Sequence, residues 1–207
     1  MTSAPPLRTI SDIERLLEAH ANLHTLLLHL EILGLPDAWI GAGFIRNSVW
    51  DVLHGRRILV SRLADVDVLF FDPDDPGRDK ESVVEQRLRT LAPNVPWSVK
   101  NQARMHLRNG DAPYRDTQDA VAHWAETATA VAARSIEGKV EVMAPCGIAD
   151  LLNLIVRPTP VFRHKMDIYR ERVTGKNWPS LWPKLTLLMT WEEAYPASHS
   201  SFDRIDT

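Results

Sequence analysis

Residues 39–72 read WIGAGFIRNSVWDVLHGRRILVSRLADVDVLFFD, and the rest of the chain is best understood from this segment. Glycines flank the alanine in Gly41-Ala42-Gly43, where a backbone without Cβ atoms can turn tightly and approach a ligand. After this turn, apolar residues at 45, 49, 52 and 53 have the spacing of a helix over 44–54, and Gly55 ends it. The segment therefore predicts a strand, a glycine turn, a helix and, after a connector, a second strand.

The predicted second strand carries two carboxylates. Asp65 and Asp67 alternate with apolar residues, so they share one face of the strand and lie about 7 Å apart along it. Two such carboxylates stay ionised near neutral pH only if solvent or a cation offsets their repulsion. Mg²⁺ fits because it prefers carboxylate oxygens and completes its coordination with water and substrate phosphates. An isolated Asp-x-Asp is more often a solvated strand end, but the upstream helix N-terminus, which attracts phosphate, favours a site for metal and nucleotide.

The same residues resemble a known signature. Gly-x-Gly, Arg46 and Asp65-Val-Asp-Val are similar to the active-site motif of the polymerase-β-like nucleotidyltransferases. The segment 41–55 is distantly similar to CCA-adding enzymes and bacterial poly(A) polymerases. From 39 to about 185 the chain resembles a bacterial nucleotidyltransferase-like family, with further matches in PWSVKNQARMHLRNG, APCGIADLL and NWPSLWPKL.

This resemblance implies an α+β fold of the polymerase-β-like nucleotidyltransferase type. The expected sheet is mixed, with helices packed on one side and a helical C-terminal part. The resemblance also implies a divalent metal, Mg²⁺ or Mn²⁺, and an NTP as a partner. It implies no particular acceptor, so RNA, a protein hydroxyl and a small molecule all remain open.

A third carboxylate on a later strand is a further expectation from the resemblance. Segments 127–134 and 139–144 predict a hairpin around Glu137-Gly138. In the second strand Glu141 stands between apolar residues and the strand ends at Pro145, so Glu141 is the expected third acid. A surface glutamate in a hairpin is the other interpretation, and Asp116 and Asp119 are the alternative acids. The predicted catalytic and metal-binding residues are Asp65, Asp67 and Glu141.

The nucleotide has two expected sources of contacts. The glycine turn and the following helix N-terminus would hold the β- and γ-phosphates, and Arg46 would offset charge on the leaving pyrophosphate. A predicted strand over 97–106 carries an unusual number of polar groups, which either face a triphosphate or base or form a solvated sheet edge. The predicted nucleotide-binding residues are Gly41, Ala42, Gly43, Arg46, Asn47, Lys100, Asn101 and Arg104.

Four parts are predicted along the chain. Residues 1–9 are a flexible arm, 10–158 the nucleotidyltransferase-like domain, 159–190 a helical extension packed on it and 191–207 a mobile tail. A capping box of Ser11 and Glu14 predicts a first helix that runs to about residue 33. Further helices are predicted over 79–91, 117–124, 149–156 and 162–173.

The C-terminal part concentrates positive charge beside aromatic residues. From 157 to 184 there are seven Lys and Arg against Asp167 and Glu171. Interleaved with Tyr169, Trp178 and Trp182, these cations predict a surface that holds a nucleic-acid acceptor by charge and stacking. Alternatively, the tryptophans seal the end of the domain beneath a solvated cationic face.

Composition sets broad limits on the function. The 207 residues are 44% hydrophobic and 25% charged, which is ordinary for one globular domain, and the net charge of −3 gives no global attraction to nucleic acid or membrane. A single cysteine excludes an intrachain disulfide and a cysteine-based zinc site, which fits a cytoplasmic protein. The most apolar run, LLLHLEILGL, is interrupted by His29 and Glu31, so no membrane partner is expected.

Three functions are compatible with these residues. The first is a metal-dependent nucleotidyltransferase that moves a nucleoside monophosphate from an NTP to an acceptor hydroxyl. The others are a catalytically inactive nucleotide-binding module and an interaction protein of a toxin–antitoxin-like pair. Retained Asp65 and Asp67 favour the enzyme over both.

Overall fold

A five-stranded mixed sheet forms the centre of the fold. The computed structural model describes residues 7–60 and 63–196, so most of the predicted arm and tail lies outside the described residues. The strand order is β3-β2-β1-β4-β5; β2 and β3 are parallel and the other neighbours are antiparallel. The strands are β1 (Trp39–Gly41), β2 (Val66–Phe70), β3 (Trp97–Asn101), β4 (Ala132–Ile136) and β5 (Lys139–Met143).

Ten helices accompany this sheet in the described residues, and several of them belong to the C-terminal part. They are α1 (Ile10–Ala19), α2 (Ala21–Ile32), α3 (Gly43–Leu53), α4 (Arg78–Leu91), α5 (Met105–Asn109), α6 (Thr117–Ala122), α7 (Ala149–Leu152), α8 (Met166–Lys176), α9 (Trp178–Leu181) and α10 (Trp191–Ala194). Two 3-10 turns, Gln102–Arg104 and Pro160–His164, and a short parallel pair, β6 (Ile155–Val156) with β7 (Thr186–Leu187), complete the described chain. No helix in residues 7–60 and 63–196 is long and apolar enough to cross a bilayer.

The two faces of the sheet differ in what covers them. Val66, Val68 and Phe70 of β2 are fully buried in the main core, beneath the helices α1 to α4. Because side chains alternate along a strand, Asp67 and Leu69 lie on the opposite face. A smaller apolar cluster around Leu69 and the half-buried Trp124 covers part of that face. The prediction of a mixed sheet with helices packed on one side is confirmed, and the second face is left for a site.

The predicted first helix is interrupted. α1 ends at Ala19 and α2 begins at Ala21, because His20 between them is extended (φ −93°, ψ 95°). The capping box at the start of α1 consists of Thr9 and Asp12, not of Ser11 and Glu14. Glu14 instead accepts a hydrogen bond from the backbone N–H of Val142, and Glu18 accepts one from Val140. Glu14 and Glu18 of α1 thereby provide acceptors for backbone N–H groups at the edge of β5 that faces away from β4.

The predicted strand over 97–106 is half as long in the structure. β3 ends at Asn101, whose side-chain oxygen accepts a hydrogen bond from the backbone N–H of Ala103 and starts the 3-10 turn. Likewise, the predicted helix over 149–156 ends at Leu152, and the predicted helix over 162–173 is a 3-10 turn followed by α8. Each of these elements ends at a side-chain contact or a turn. The spacing of apolar residues in the sequence does not reveal such an end.

Candidate active site

The glycine turn presents the N-terminus of α3 to a cleft. Ala42 has φ 51° and ψ −120°, a backbone conformation that costs free energy for a residue with a side chain and occurs mostly at functional sites. Its N–H donates to the carbonyl of Val131, and its own carbonyl accepts from the N–H of Arg46. No side chain of the described residues caps α3, so the first N–H groups of the helix are available to an anion.

Gly41 is required for a steric reason. A Cβ atom at Gly41 would lie 2.7 Å from the Cη2 atom of Trp124, closer than carbon atoms approach one another in proteins. The indole of Trp124 therefore packs directly against the backbone of β1. At Gly43 the nearest atom, Nδ2 of Asn47, would be 3.4 Å away, so a small side chain would nearly fit there.

A cavity of about 530 Å³ joins the glycine turn to the carboxylate strand. Its walls come from the exposed face of the sheet, from α5 and from α8, so residues distant in sequence meet around it. Besides Ala42 of the glycine turn, its lining residues include Asp67, Lys100, Trp124, Thr129 and Arg172. Ala42 of the glycine turn and Asp67 of β2 thus line the same cavity.

Asp67 is half-buried in this cavity and its charge is unfavourable. Burial, and secondly the nearby carboxylate of Asp65, raise the pKa of Asp67 to about 6. Arg46, Lys176 and the hydroxyl of Ser98 act in the opposite direction. Asp65 itself is exposed, lies immediately before β2 and lines a second cavity of about 440 Å³. A cation between the two acids would relieve their repulsion.

Arg46 lies near both acids, but its guanidinium is already held. Its Nη1 atom donates to Oγ1 of Thr129 at 2.9 Å, and its Nε and Nη2 atoms donate to Oδ1 of Asn47. The guanidinium carbon lies 4.5 Å and 5.2 Å from the ring centroids of Trp178 and Trp50. Burial lowers the pKa of Arg46 to about 10, so it stays charged at neutral pH. Arg46 and Asn47 both line the second cavity, beside Asp65.

Of the polar residues predicted on the strand over 97–106, Lys100 lines the main cavity and two others do not. Asn101 is fully buried, and its Nδ2 atom donates to the carbonyls of Asp72 and Asp75. Arg104 forms a two-pronged ion pair with the buried carboxylate of Glu81, at 2.9 Å and 2.6 Å. Asn101 and Arg104 thus do not line the main cavity, and their polar groups stabilise the loop after β2 and the N-terminal turn of α4.

The architecture of this site has counterparts among known proteins. A family model described as nucleotidyltransferase matches residues 29–187. The chain belongs to the nucleotidyltransferase family. A structure solved by NMR and described as a CCA-adding enzyme head domain is 32% identical in sequence, with a TM-score of 0.81 over 91% of this chain and 100% of that one. Among proteins of curated function, no match is found.

More distant structures share the fold. The Thermotoga maritima CCA-adding enzyme complexed with tRNA has a TM-score of 0.55 at 12% identity, over 90% of this chain and 44% of that one. A CCA-adding enzyme in complex with CTP has a TM-score of 0.53 at 12% identity, over 87% and 43%. This nucleotidyltransferase therefore spans less than half of those two chains.

Glu141, the predicted third acid, lines neither of the two cavities described above. Glu141 lies on β5, three strands away from β2, which corresponds to about 14 Å across the sheet. Its carboxylate pairs with Arg134 on the neighbouring strand, at 2.8 Å and 3.0 Å. The alternatives also have local partners, since Asp116 caps α6 and Asp119 pairs with Arg115. Residues 7–60 and 63–196 contain no cluster of three potential metal ligands.

Glu126 was not among the predicted site residues, and it holds a side chain that lines the main cavity. It is fully buried, and its Oε1 atom accepts a hydrogen bond from Nε of Arg172 at 2.7 Å. Its Oε2 atom has no hydrogen-bond partner among the described residues. The sequence contained a hint of this buried charge, because Glu126 is the single charged residue in the segment 125–133, AETATAVAA. The sequence predicted a strand over 127–134, whereas residues 126–131 form a turn and β4 begins only at Ala132.

The predicted nucleic-acid surface of the C-terminal part is divided in the structure. Arg163 lies over the ring of Trp191, Arg170 pairs with Asp167 on the outside of α8, and Arg172 points into the main cavity. The aromatic residues support the alternative interpretation: Tyr169, Trp178 and Trp182 are all buried, and both tryptophans pack edge-on against Trp50.

Proposed function

We propose that this nucleotidyltransferase moves a nucleoside monophosphate from an NTP to an acceptor hydroxyl with the help of Mg²⁺ or Mn²⁺. The observation that carries the proposal is the shared cavity, in which the uncapped N-terminus of α3 meets the half-buried carboxylate of Asp67. The first feature binds phosphate and the second binds a cation, so together they suit a metal–triphosphate complex.

The residues present fit a hard divalent cation. Asp65 and Asp67 offer carboxylate oxygens two positions apart, and burial together with Asp65 raises the pKa of Asp67 more than Arg46 and Lys176 lower it. Water and triphosphate oxygens would supply the remaining ligands. When bound, such a cation stabilises charge on the phosphoryl oxygens of the transition state. With Glu141 on the far strand, the proposal rests on Asp65 and Asp67 alone.

The chain itself would contribute binding and charge compensation. The N–H groups at the start of α3 would hold the β- and γ-phosphates, and Lys100 would face the same cavity. The acceptor hydroxyl loses its proton to solvent and its oxygen forms a bond to the α-phosphorus. The bond between the α-phosphorus and the bridging oxygen breaks, and pyrophosphate leaves. Arg46, charged and close to both acids, would offset the negative charge of the site without leaving its partners.

The acceptor is to be identified by experiment, beginning with RNA. A fold relative is described in complex with tRNA, which supports tRNA without its 3′ end as a first acceptor, followed by total RNA, protein and small hydroxyl compounds. We expect label from an α-³²P-labelled NTP to appear on the acceptor in Mg²⁺, and Asp67→Asn to prevent it. Binding of Mg²⁺–NTP without transfer to any acceptor would instead indicate a nucleotide-binding module. An absence of NTP binding would favour an interaction protein.

A further inference from the structure

The side chain of Arg172 extends from α8 into the main cavity, and one of its three guanidinium nitrogens is hydrogen-bonded. Its Nε atom donates to Oε1 of Glu126 at 2.7 Å. The two side chains form an ion pair in which the carboxylate is fully buried. The side chain of Arg172 is 40% exposed, and among the described residues nothing accepts a hydrogen bond from its two Nη groups. A guanidinium held at Nε therefore offers its terminal N–H groups to the cavity.

Glu126 is fixed to the same backbone turn that supports the phosphate-binding end of α3. Its carbonyl accepts hydrogen bonds from the N–H groups of Thr129 and Ala130, which close the turn. Further along this turn, Oγ1 of Thr129 accepts from Arg46, and the carbonyl of Val131 accepts from the N–H of Ala42. The position of Arg172 is thus coupled to that of Ala42 through one short, buried segment.

Glu126 belongs to a group of interacting charges. Arg46 and Arg172 both interact with this carboxylate, which favours the charged form of Arg46, while the two arginines repel each other. Arg46 also interacts with Asp65 and Asp67, whereas the ion pair of Arg172 is with Glu126. The unpartnered Oε2 atom of Glu126 shows that the carboxylate is held by its surroundings without all its hydrogen bonds, at a free-energy cost.

We propose that Arg172 binds a phosphate oxygen of the NTP triphosphate, and that Glu126 is a positioning residue that holds the guanidinium in the required orientation. This inference rests on the proposed function and deepens it. Arginine suits the role because its planar fork binds two oxygens of a phosphate at once. Arg46 was predicted to offset the charge of the leaving pyrophosphate. In the structure its guanidinium donates hydrogen bonds to Thr129 and Asn47.

The neighbouring Arg170 provides a matched control. It lies on the same helix, but it pairs with the exposed Asp167 and does not line the cavity. Arg170→Gln and Arg172→Gln therefore remove the same charge from α8 and differ in position. A long-range effect of charge would change both variants equally, whereas a direct contact with phosphate changes only Arg172→Gln.

The test is calorimetry of the full chain with Mg²⁺ and either inorganic tripolyphosphate or ATP. One charge-assisted hydrogen bond stabilises a complex by roughly 1.5–3 kcal/mol, so Arg172→Gln should weaken binding of both compounds by about 10-fold or more. Arg170→Gln should change either affinity less than about 2-fold. Arg172→Lys should give an intermediate loss, because it keeps the charge and loses the fork.

Variants of Glu126 separate positioning from folding. Glu126→Gln should weaken tripolyphosphate binding less than Arg172→Gln does, and the double variant should bind as Arg172→Gln alone, because the two residues act as one unit. The double variant also removes the buried charge that Arg172→Gln leaves unpaired, so it keeps the test valid if the single variant unfolds. Melting temperatures verify folding in each case.

Two results would overturn the inference. If Arg172→Gln binds tripolyphosphate like the wild type while Asp67→Asn abolishes metal-dependent ATP binding, Arg172 does not contact phosphate and the proposed function stands. If the wild type binds neither compound in Mg²⁺ or Mn²⁺, both the inference and the proposed function fail.

Discussion

Replacing Asp67 with asparagine should stabilise the metal-free protein above pH 7. The pKa of Asp67 is raised from 3.8 to about 6, chiefly by burial and secondly by Asp65. A carboxyl whose folded pKa exceeds its unfolded value contributes stability below the unfolded pKa, and this contribution is lost as pH rises through 6. The shift of roughly 2 units corresponds to about 3 kcal/mol in the free energy of unfolding. Asparagine is neutral at every pH and avoids that loss.

The assay is urea unfolding in chelator, followed across pH. The variant and the wild type should be about equally stable near pH 4, and the variant should gain up to about 3 kcal/mol above pH 7. Adding Mg²⁺ with an NTP should stabilise the wild type and not the variant, since the ligand site has lost a carboxylate. Asp65→Asn removes only the secondary cause of the shift, so its gain should be smaller. A variant no more stable than the wild type above pH 7 would refute this account of the carboxylate pair.

Three further changes test the surroundings of the site. Glu141→Gln should leave NTP binding and transfer unchanged and cost less than about 1 kcal/mol in urea unfolding, because it breaks only a half-exposed pair with Arg134; loss of transfer would restore Glu141 as a catalytic acid. Gly41→Ala should lower the melting temperature and shift tryptophan fluorescence, because its Cβ would displace Trp124, and adding Trp124→Ala should recover part of the loss. Glu18→Gln should lower the free energy of unfolding by about 1 kcal/mol, because it weakens the hydrogen bond from Val140 at the edge of β5, and NTP affinity should not change. Stability equal to that of the wild type would show that this edge needs no carboxylate.

The fold around the carboxylate strand was predictable because its signals are local. The predicted helix over 44–54 is α3 shifted by one residue, and the alternation of Val66, Val68 and Phe70 correctly indicated which side chains enter the core. Local patterns fail where a distant group supplies the decisive contact. The capping box of α1 was misplaced because Glu14 bonds to β5, more than 120 residues away in sequence.

The site was predictable in part for the same reason. The glycine turn and Asp67 lie within one short segment, and the structure brings both to one cavity. The strand order, however, is not contained in any local pattern, and it is the order that moves Glu141 three strands away. The polar residues at the end of β3 and after it were also ambiguous, because Asn101 and Arg104 find partners in the loop after β2 and in α4. Glu126 acquires its importance only from Arg172, 46 residues further along the chain.

The C-terminal helices therefore complete the site instead of merely extending the domain. The N–H of Thr127 donates to the carbonyl of Arg157, and the N–H of Thr159 donates to the carbonyl of Ala125, so the chain before and after residue 158 brackets Glu126. α8 then supplies Arg172 to neutralise that carboxylate and to wall the cavity. Without α8, Glu126 would be a buried charge without its ion-pair partner, which is destabilising by roughly 3–5 kcal/mol. The ion pair between Glu126 and Arg172 therefore connects the C-terminal part to the turn over residues 126–131, next to the wall of the main cavity.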